Sequence, residues 1–167
     1  YDKLTNLYNR KYFNEFIKCP NIFDKTPVAI IIADINGLKF INEVFGFFVG
    51  DKVIKLTSQI LRKRCKFDDM LIRWGADEFL MFIPYIDETK IERIIDELNM
   101  DLGQYELELP LKISVSYGYS ILKKGMDLKE VINDAENDLI KNKLINKMSN
   151  RNTIISSLMT ALYEKSF

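Results

Sequence analysis

The segment VAIIIADI, residues 28 to 35, contains the longest apolar run of the chain, from Val28 to Ala33. Its residues are largely β-branched and do not alternate with polar ones, which predicts a β-strand buried on both faces. The run is far shorter than the ~20 residues needed to span a membrane, so no membrane span is expected. Asp34 lies near the end of this strand, where a buried strand meets the surface.

The segments on either side alternate between helical and strand periodicity. Helices are predicted over residues 10–18, 38–45, 51–66, 88–100 and 128–145, strands over 70–74, 79–83 and 111–121, and a loop over 20–27. Gly50 is the predicted break before the third helix, and the alternating pattern of 111–121 predicts a strand with one solvent-facing side. The order α-β-α-α-β-β-α-β-α predicts an α+β fold with a central mixed sheet covered by helices.

Three acidic residues stand out as candidates for chemistry. Asp77 and Glu78 lie at the tip of the predicted hairpin, and Asp34 ends the buried strand. If the two strands are neighbours, the three carboxylates converge. Their mutual repulsion would then favour a bound cation, and oxygen ligands suit Mg²⁺. The alternative is that these are ordinary acids of a solvated turn.

Composition excludes several classes of chemistry. The chain has 167 residues, 24 Lys+Arg, 24 Asp+Glu, 2 cysteines and no histidine. A Ser-His-Asp triad, a Cys-His dyad and histidine-ligated zinc are therefore impossible within it. The zero net charge argues against nucleic acid as a partner. Cys19 and Cys65 form no CxxC pair, are predicted to be partly buried apolar side chains, and fit a reducing, cytoplasmic location.

Five blocks of sequence resemble the motifs of the GGDEF-domain diguanylate cyclases. In chain order they are DKLTNLYNRKYF (2–13), DINGLKFINE (34–43) with Gly46, Gly50 and Asp51, RWGADEF (73–79), SYG (116–118) and AENDLIKNK (135–143). The blocks follow one another from Asp2 to about Lys147, which is most of the chain. Five motifs in order are far more specific than any one of them.

The resemblance implies a palm-like, nucleotidyl cyclase-like fold and a nucleotidyltransferase activity. Members of this family condense two GTP into cyclic di-GMP with release of pyrophosphate, across a homodimer in which each subunit holds one GTP. The resemblance assigns Asp34, the Ile35 carbonyl, Asp77 and Glu78 to two Mg²⁺ or Mn²⁺ ions. It also assigns Asp77 and Glu78 to catalysis.

The resemblance also assigns the residues that would bind GTP. Asn42 and Asp51 match its guanine readers, since a carboxylate accepts from guanine N1–H and the 2-amino group together. The alternative for Asp51 is that it only caps the helix after Gly50. The other nucleotide contacts implied are the N–H groups of Gly37 and Leu38, the backbone at Gly75, and the ammonium groups of Lys143 and Lys147.

Several positions depart from the family pattern. Ala76 replaces the second glycine of the signature, and a Cβ there costs roughly 1 kcal/mol if the turn requires positive φ. Gly37 replaces an aromatic residue and Phe47 replaces a histidine. These departures favour an alternative function, a catalytically weak or inactive GTP-binding module that regulates an attached domain. Lys66 and Asp69 stand where the family has its RxxD, so no product-inhibition site is assigned.

The final residues form a separate pattern. An apolar stripe follows a polar stretch at 148–150, which predicts that the GGDEF domain covers 1–148 and that 149–167 form a helical linker toward a further domain. This tail resembles, more weakly, the linker between GGDEF and HD-GYP phosphodiesterase domains. The chain begins with Tyr1 rather than Met, so we expect it to be part of a longer protein with an attached sensory or HD-GYP domain, whose upstream part could anchor it to a membrane.

Overall fold

The structure is a computed structural model that describes residues 1–105 and 112–165, together with their side chains except those of 149–157. The helices are α1 (Arg10–Phe16), α2 (Leu38–Phe45), α3 (Phe47–Arg64), α4 (Glu88–Gly103) and α5 (Leu128–Lys165). The strands are β1 (Tyr8–Asn9), β2 (Val28–Ile35), β3 (Met70–Arg73), β4 (Glu78–Pro84) and β5 (Val115–Leu122). A short 3₁₀-helix, Pro20–Lys25, occupies the predicted loop before β2.

The strands form one mixed sheet in the order β1-β3-β4-β2-β5. The apolar segment β2 is central and antiparallel to both β4 and β5, which explains why it is buried along its whole length. β3 and β4 form the predicted hairpin, and β1 adds a parallel edge beside β3. The α+β prediction with a mixed, helix-covered sheet is confirmed.

Alternation along β2 divides the core into two layers. Ala29, Ile31 and Ala33 pack with residues of α2, α3 and α4 on one face of the sheet. Ile30 and Ile32 pack with residues of α1 and α5 on the other face. Asp34 has the same parity as Ile32, so the period of two places its carboxylate on the α5 side.

The predicted start of α3 is wrong by four residues. The helix begins at Phe47, directly after Gly46, whose φ of 88° is not helical and separates α3 from α2. Gly50 is instead a buried residue within α3. A Cβ at Gly50 would collide with the side-chain oxygen of Asn42, so this glycine serves packing between α2 and α3 rather than helix termination.

The predicted strand over 111–121 is correct only in part. β5 begins at Val115, and residues 106–111 lie outside the described residues. The expected solvent-facing side is wrong, because Ser116 is 2% exposed and Gly118 contacts the backbone of α5. Small and polar residues on this side admit a helix rather than water.

The helix predicted over 128–145 is longer in the structure. α5 runs without interruption from Leu128 to Lys165, because Met, Ser and Asn each cost well under 1 kcal/mol inside a helix and the segment has no glycine or proline. Among the described helices, none carries an apolar stretch long enough to cross a membrane.

The two cysteines differ in environment. Cys65 is partly buried, and burial, followed by the charge of Asp69, raises the pKa of its thiol to about 12. This agrees with the predicted packing role and with a thiol that is not nucleophilic at neutral pH. Cys19 is exposed, so the prediction that it is partly buried is wrong.

Candidate nucleotide and metal site

Three carboxylates meet where β2 ends and the β3–β4 hairpin turns. Asp34 is paired across the sheet with Glu78, and Asp77 immediately precedes β4. One carboxylate oxygen from each of the three lies within 4.8 Å of the others. The predicted convergence is therefore confirmed. The simple solvated-turn alternative does not hold for Asp34, which is 4% exposed.

The hairpin turn is held by the guanidinium of Arg73. Its Nε donates to the Gly75 carbonyl at 3.1 Å and one Nη donates to the Ala76 carbonyl at 2.7 Å. The other Nη donates to the Asp2 carboxylate at 3.0 Å. Arg73 belongs to the RWGADEF motif, but this role cannot be predicted from the sequence, because its partners are two backbone carbonyls and a residue from the start of the chain.

Ala76 fits its turn without backbone strain. Among the described residues other than glycine, only Asn6 and Tyr85 have positive φ. The energetic penalty anticipated for replacing glycine at position 76 therefore does not arise. The Ile35 N–H donates to the Asp77 carbonyl at 2.9 Å, which ties this turn to the end of β2.

Lys143 reaches the carboxylates from α5. Its Nζ lies 2.8 Å from Oδ2 of Asp34, which makes an ion pair on the α5 side of the sheet. Burial nevertheless raises the pKa of Asp34, with the charge of Asp77 adding to the rise and Lys143 opposing it. Burial and the charges of Asp34 and Asp77 likewise raise the pKa of Glu78. One ammonium therefore compensates only part of the negative charge of this cluster.

The donor set fits a divalent cation. Oδ1 of Asp34 is buried and has no hydrogen-bond partner among the described residues, which is costly unless another group contacts it. The donors available are carboxylate oxygens, which hard cations such as Mg²⁺ and Mn²⁺ prefer. The residues Asp34, Asp77 and Glu78 can thus hold such an ion.

An open cleft of about 410 Å³ adjoins Asp77, one of the three carboxylates. Asn42 of α2, Phe47 of α3 and Asp77 contribute to its lining, together with Ala76. The amide of Asn42 is placed by its contact with Gly50, where a Cβ would lie 2.9 Å from Cγ of Asn42. Phe47, a departure from the family pattern, was not predicted to belong to the site, but it lines this cleft.

Asp51 is not the residue that caps α3. The helix begins at Phe47 with Gly46 as its N-cap, so Asp51 lies in the second turn with an exposed side chain. The alternative of a pure capping role is therefore wrong. The N–H groups at the start of α2 follow Gly37, whose φ of 71° suits glycine, and Leu38 is the first residue of that helix.

Two further residues predicted to bind the nucleotide, Gly75 and Lys147, make no described side-chain contact with the three carboxylates. Gly75 is half-exposed in the turn, and its N–H donates to the Glu78 carbonyl at 3.1 Å. Lys147 is exposed on α5, one turn beyond Lys143. No described contact joins Lys147 to the carboxylates, so the structure places it on the same helix but does not bring it into the cluster.

Polar side chains fix α5 over the end of the sheet. Asn142 donates to the Tyr117 carbonyl at 2.8 Å, and Asn146 donates to Oγ of Ser116 at 3.3 Å. Ser116 in turn donates to the amide oxygen of Asn36 at 3.0 Å. These positioning residues were not predicted from the sequence, although the i, i+4 spacing of two asparagines beside Lys143 is a signal of a shared polar face.

Comparison with known proteins agrees with this architecture. The family model described as "Diguanylate cyclase, GGDEF domain" matches residues 1–151. The chain belongs to the GGDEF-domain family. It is 31% identical over 149 residues to the probable diguanylate cyclase DgcT of Escherichia coli, covering 85% of this chain and 33% of that protein. It is 25% identical over 151 residues to the E. coli diguanylate cyclase DosC, covering 83% of this chain and 32% of that protein.

A solved structure shows the same fold. The GGDEF domain of DgcB from Caulobacter crescentus, in complex with c-di-GMP, superposes with a TM-score of 0.80 at 25% identity, covering 87% of this chain and 88% of that one. The chain spans about a third of the length of the curated relatives DgcT and DosC. The predicted family and fold are therefore confirmed.

Proposed function

We propose that this chain is a diguanylate cyclase domain that joins two GTP into cyclic di-GMP, each GTP being held by one copy of a facing pair. The observation that carries the proposal is the convergence of Asp34, Asp77 and Glu78, with Lys143 paired to Asp34. Asp77 also lines the cleft that contains Asn42. Ligands for a cation, a positive charge for phosphate and an amide for a base then lie within one site.

The chain offers oxygen donors for two Mg²⁺ or Mn²⁺ ions. Asp34, the carbonyl of Ile35, Asp77 and Glu78 would hold them, and Asp34 contributes a buried oxygen without a hydrogen-bond partner. When bound, the ions neutralise the triphosphate and stabilise the charge that develops at the α-phosphate.

Other residues would position GTP. The N–H groups of Gly37 and Leu38, at the start of α2, would meet the β- and γ-phosphates, since such groups point outward with a partial positive charge. The ammonium of Lys143 would exchange Asp34 for phosphate oxygens, and Lys147 would follow one turn later. Gly75 would leave room for the nucleotide against the turn.

The base would be read by two side chains. The carboxylate of Asp51 would accept hydrogen bonds from guanine N1–H and the 2-amino group, and the amide of Asn42 offers both a donor and an acceptor. Adenine has no matching pair of donors on this edge. The preference for GTP over ATP would therefore come from Asn42 and Asp51.

The reaction is a displacement at phosphorus. The 3′-hydroxyl oxygen of one GTP forms a bond to the α-phosphorus of the other, and the bond from that phosphorus to pyrophosphate breaks. Asp77 would take the hydroxyl proton and orient the attacking oxygen. The 3′-hydroxyl oxygen of the second GTP then forms a bond to the α-phosphorus of the first, and the bond from that phosphorus to pyrophosphate breaks. This closes the ring and releases the second pyrophosphate, so two copies of the site are needed.

The second candidate function is GTP binding without turnover, in a module that regulates an attached domain. It is favoured by the replacement of the family's histidine with Phe47, which lines the cleft, and of an aromatic residue with Gly37 at the start of α2. We further propose that residues 1–148 are the GGDEF domain and that 149–167 lead to another domain, for instance an HD-GYP domain. Exposed apolar residues on the last turns of α5, such as Leu158 and Tyr163, support this.

The test is incubation of concentrated protein with GTP and MgCl₂ or MnCl₂, followed by chromatographic separation of the products. Asp77→Asn is the test variant. Asp96→Asn is its matched control, because Asp96 is an exposed aspartate on α4 and does not belong to the carboxylate cluster. Cyclic di-GMP from the wild type and the control, but not from Asp77→Asn, is the expected result.

Two other outcomes would redirect the proposal. GTP binding by calorimetry without product, even at high protein concentration, would refute the cyclase activity of this chain and leave the regulatory module. Absence of GTP binding would refute both functions. A full yield of product from Asp77→Asn would contradict the role of Asp77.

A further inference from the structure

Phe47 is an apolar side chain at the edge of a polar site. It is 74% exposed although α3, which it begins, packs seven buried residues into the protein. An exposed aromatic ring loses the free energy of burial, and clusters of such rings commonly mark binding surfaces. Phe47 also lines the cleft that contains Asn42 and Asp77, so its ring faces the space in which a ligand of that site would lie.

The position of the ring follows from the local backbone. Gly46 ends α2 and precedes α3 with a φ of 88°, which places Phe47 at the first position of the new helix. Asn42 is in the last turns of α2 and is held against Gly50 of α3. The amide and the phenyl ring thus approach the same cleft from two helices that are joined at one glycine.

The neighbouring residue provides a contrast. Phe48 is 73% exposed, nearly the same as Phe47, but it does not line the cleft. Its ring instead lies near the ammonium of Lys52, 4.7 Å from Nζ to the ring centroid. The two residues share type, exposure and helix, and differ in whether they contact the cleft.

We infer that Phe47 binds the face of the nucleotide base in this cleft, by stacking, while Asn42 contacts the edge of the base. This inference rests on the proposed GTP site. Every base has a π-face, so stacking strengthens binding without selecting between guanine and adenine. Phe47 then contributes affinity, and the hydrogen-bonding residues contribute the choice of base.

The expected effect is large enough to measure. Base–aromatic stacking is worth about 1–3 kcal/mol by alanine substitution, which corresponds to a loss of about 5- to 150-fold in affinity. Phe47→Ala should weaken the binding of GTP and of ATP by the same factor, leaving their ratio unchanged. Phe47→Tyr should retain most of the affinity, because the ring is kept.

The experiment is calorimetric titration of the whole chain with GTP and with ATP in MgCl₂, for the wild type, Phe47→Ala, Phe47→Tyr and the matched control Phe48→Ala. A second readout uses fluorescence. GTP should quench the fluorescence of the tryptophan added in Phe47→Trp, by stacking, and should leave the fluorescence of the tryptophan added in Phe48→Trp unchanged. Trp74, the one native tryptophan, contributes the same background fluorescence to both variants.

Each outcome decides the inference. Loss of affinity in Phe47→Ala, with normal binding by Phe48→Ala and Phe47→Tyr, would support stacking. Normal binding by Phe47→Ala would overturn it while leaving the GTP site intact, and so would equal losses in both alanine variants. Absence of GTP binding by the wild type would overturn the inference together with the proposed function.

Discussion

Substitution of Gly118 by alanine should displace α5 and with it Lys143. Gly118 lies in β5 opposite Ile32 of β2 and directly beneath α5. A Cβ at this position would be 2.7 Å from Cα of Leu139, and still closer to the Leu139 nitrogen and the Ala135 carbonyl oxygen. Non-bonded carbons rest at about 3.5–4.0 Å, so the helix must move by about 1 Å or more.

The expected loss of stability follows from this displacement of α5. Overpacking of a core commonly costs about 1–3 kcal/mol. For a chain of this length, 1 kcal/mol lowers the melting temperature by about 2–4 °C, which gives a decrease of about 2–12 °C. Lys143 is one helical turn beyond Leu139, so the same movement lengthens its 2.8 Å ion pair with Asp34. Affinity for GTP should therefore fall as well.

The assay is thermal unfolding of the whole chain by circular dichroism, combined with calorimetric titration of GTP. Gly103→Ala is the matched control, because a Cβ at Gly103 would meet no atom of the described residues within 4 Å and its backbone is not left-handed. A melting temperature of Gly118→Ala within about 1 °C of that control would refute the reasoning, since it would mean that α5 is not held by close contact with β5.

Three further predictions concern the site itself. Lys143→Met should destabilise the protein in EDTA by about 1–3 kcal/mol, a value reduced for the partial exposure of Lys143, because the buried carboxylate of Asp34 loses its partner. In thermal unfolding, Mn²⁺ should restore much of the stability that Lys143→Met loses. The control Lys147→Met should change the melting temperature little. An unchanged melting temperature for Lys143→Met would contradict the ion pair. Glu78→Gln should be more stable than the wild type at about pH 8 in EDTA, because the raised pKa of Glu78 means that ionisation favours the unfolded state as pH rises. Denaturant titrations should show this difference vanishing below the ordinary carboxyl pKa of 4.5, and a difference that persists there would show another cause. Ala76→Gly should lower the free energy of unfolding by about 0.4–1 kcal/mol in urea titrations. The φ of residue 76 is not positive in the folded protein, so glycine relieves no strain there and only increases the conformational entropy of the unfolded chain. A gain in stability would mean that the turn does strain Ala76.

The sequence by itself determined the central strand and the carboxylate cluster. A run of apolar, mostly β-branched residues is stable only where both faces are covered, so Val28 to Ala33 had to lie in the middle of a sheet. The hairpin around Gly75 and the helices flanking it follow from local periodicity. The meeting of Asp34 with Asp77 and Glu78 required one additional assumption, that β2 and β4 are neighbours, which the sheet order satisfies.

The tertiary structure alone decided how the rest of the site is assembled. The pairing of Lys143 with Asp34 depends on how closely α5 approaches β5, and that distance is set by the absence of a side chain at Gly118. α3 begins after Gly46, whose positive φ separates it from α2. Gly50 is needed instead for the close contact with the side chain of Asn42. Local patterns specify which elements form, whereas these distances depend on contacts between residues far apart in the chain, which periodicity does not encode.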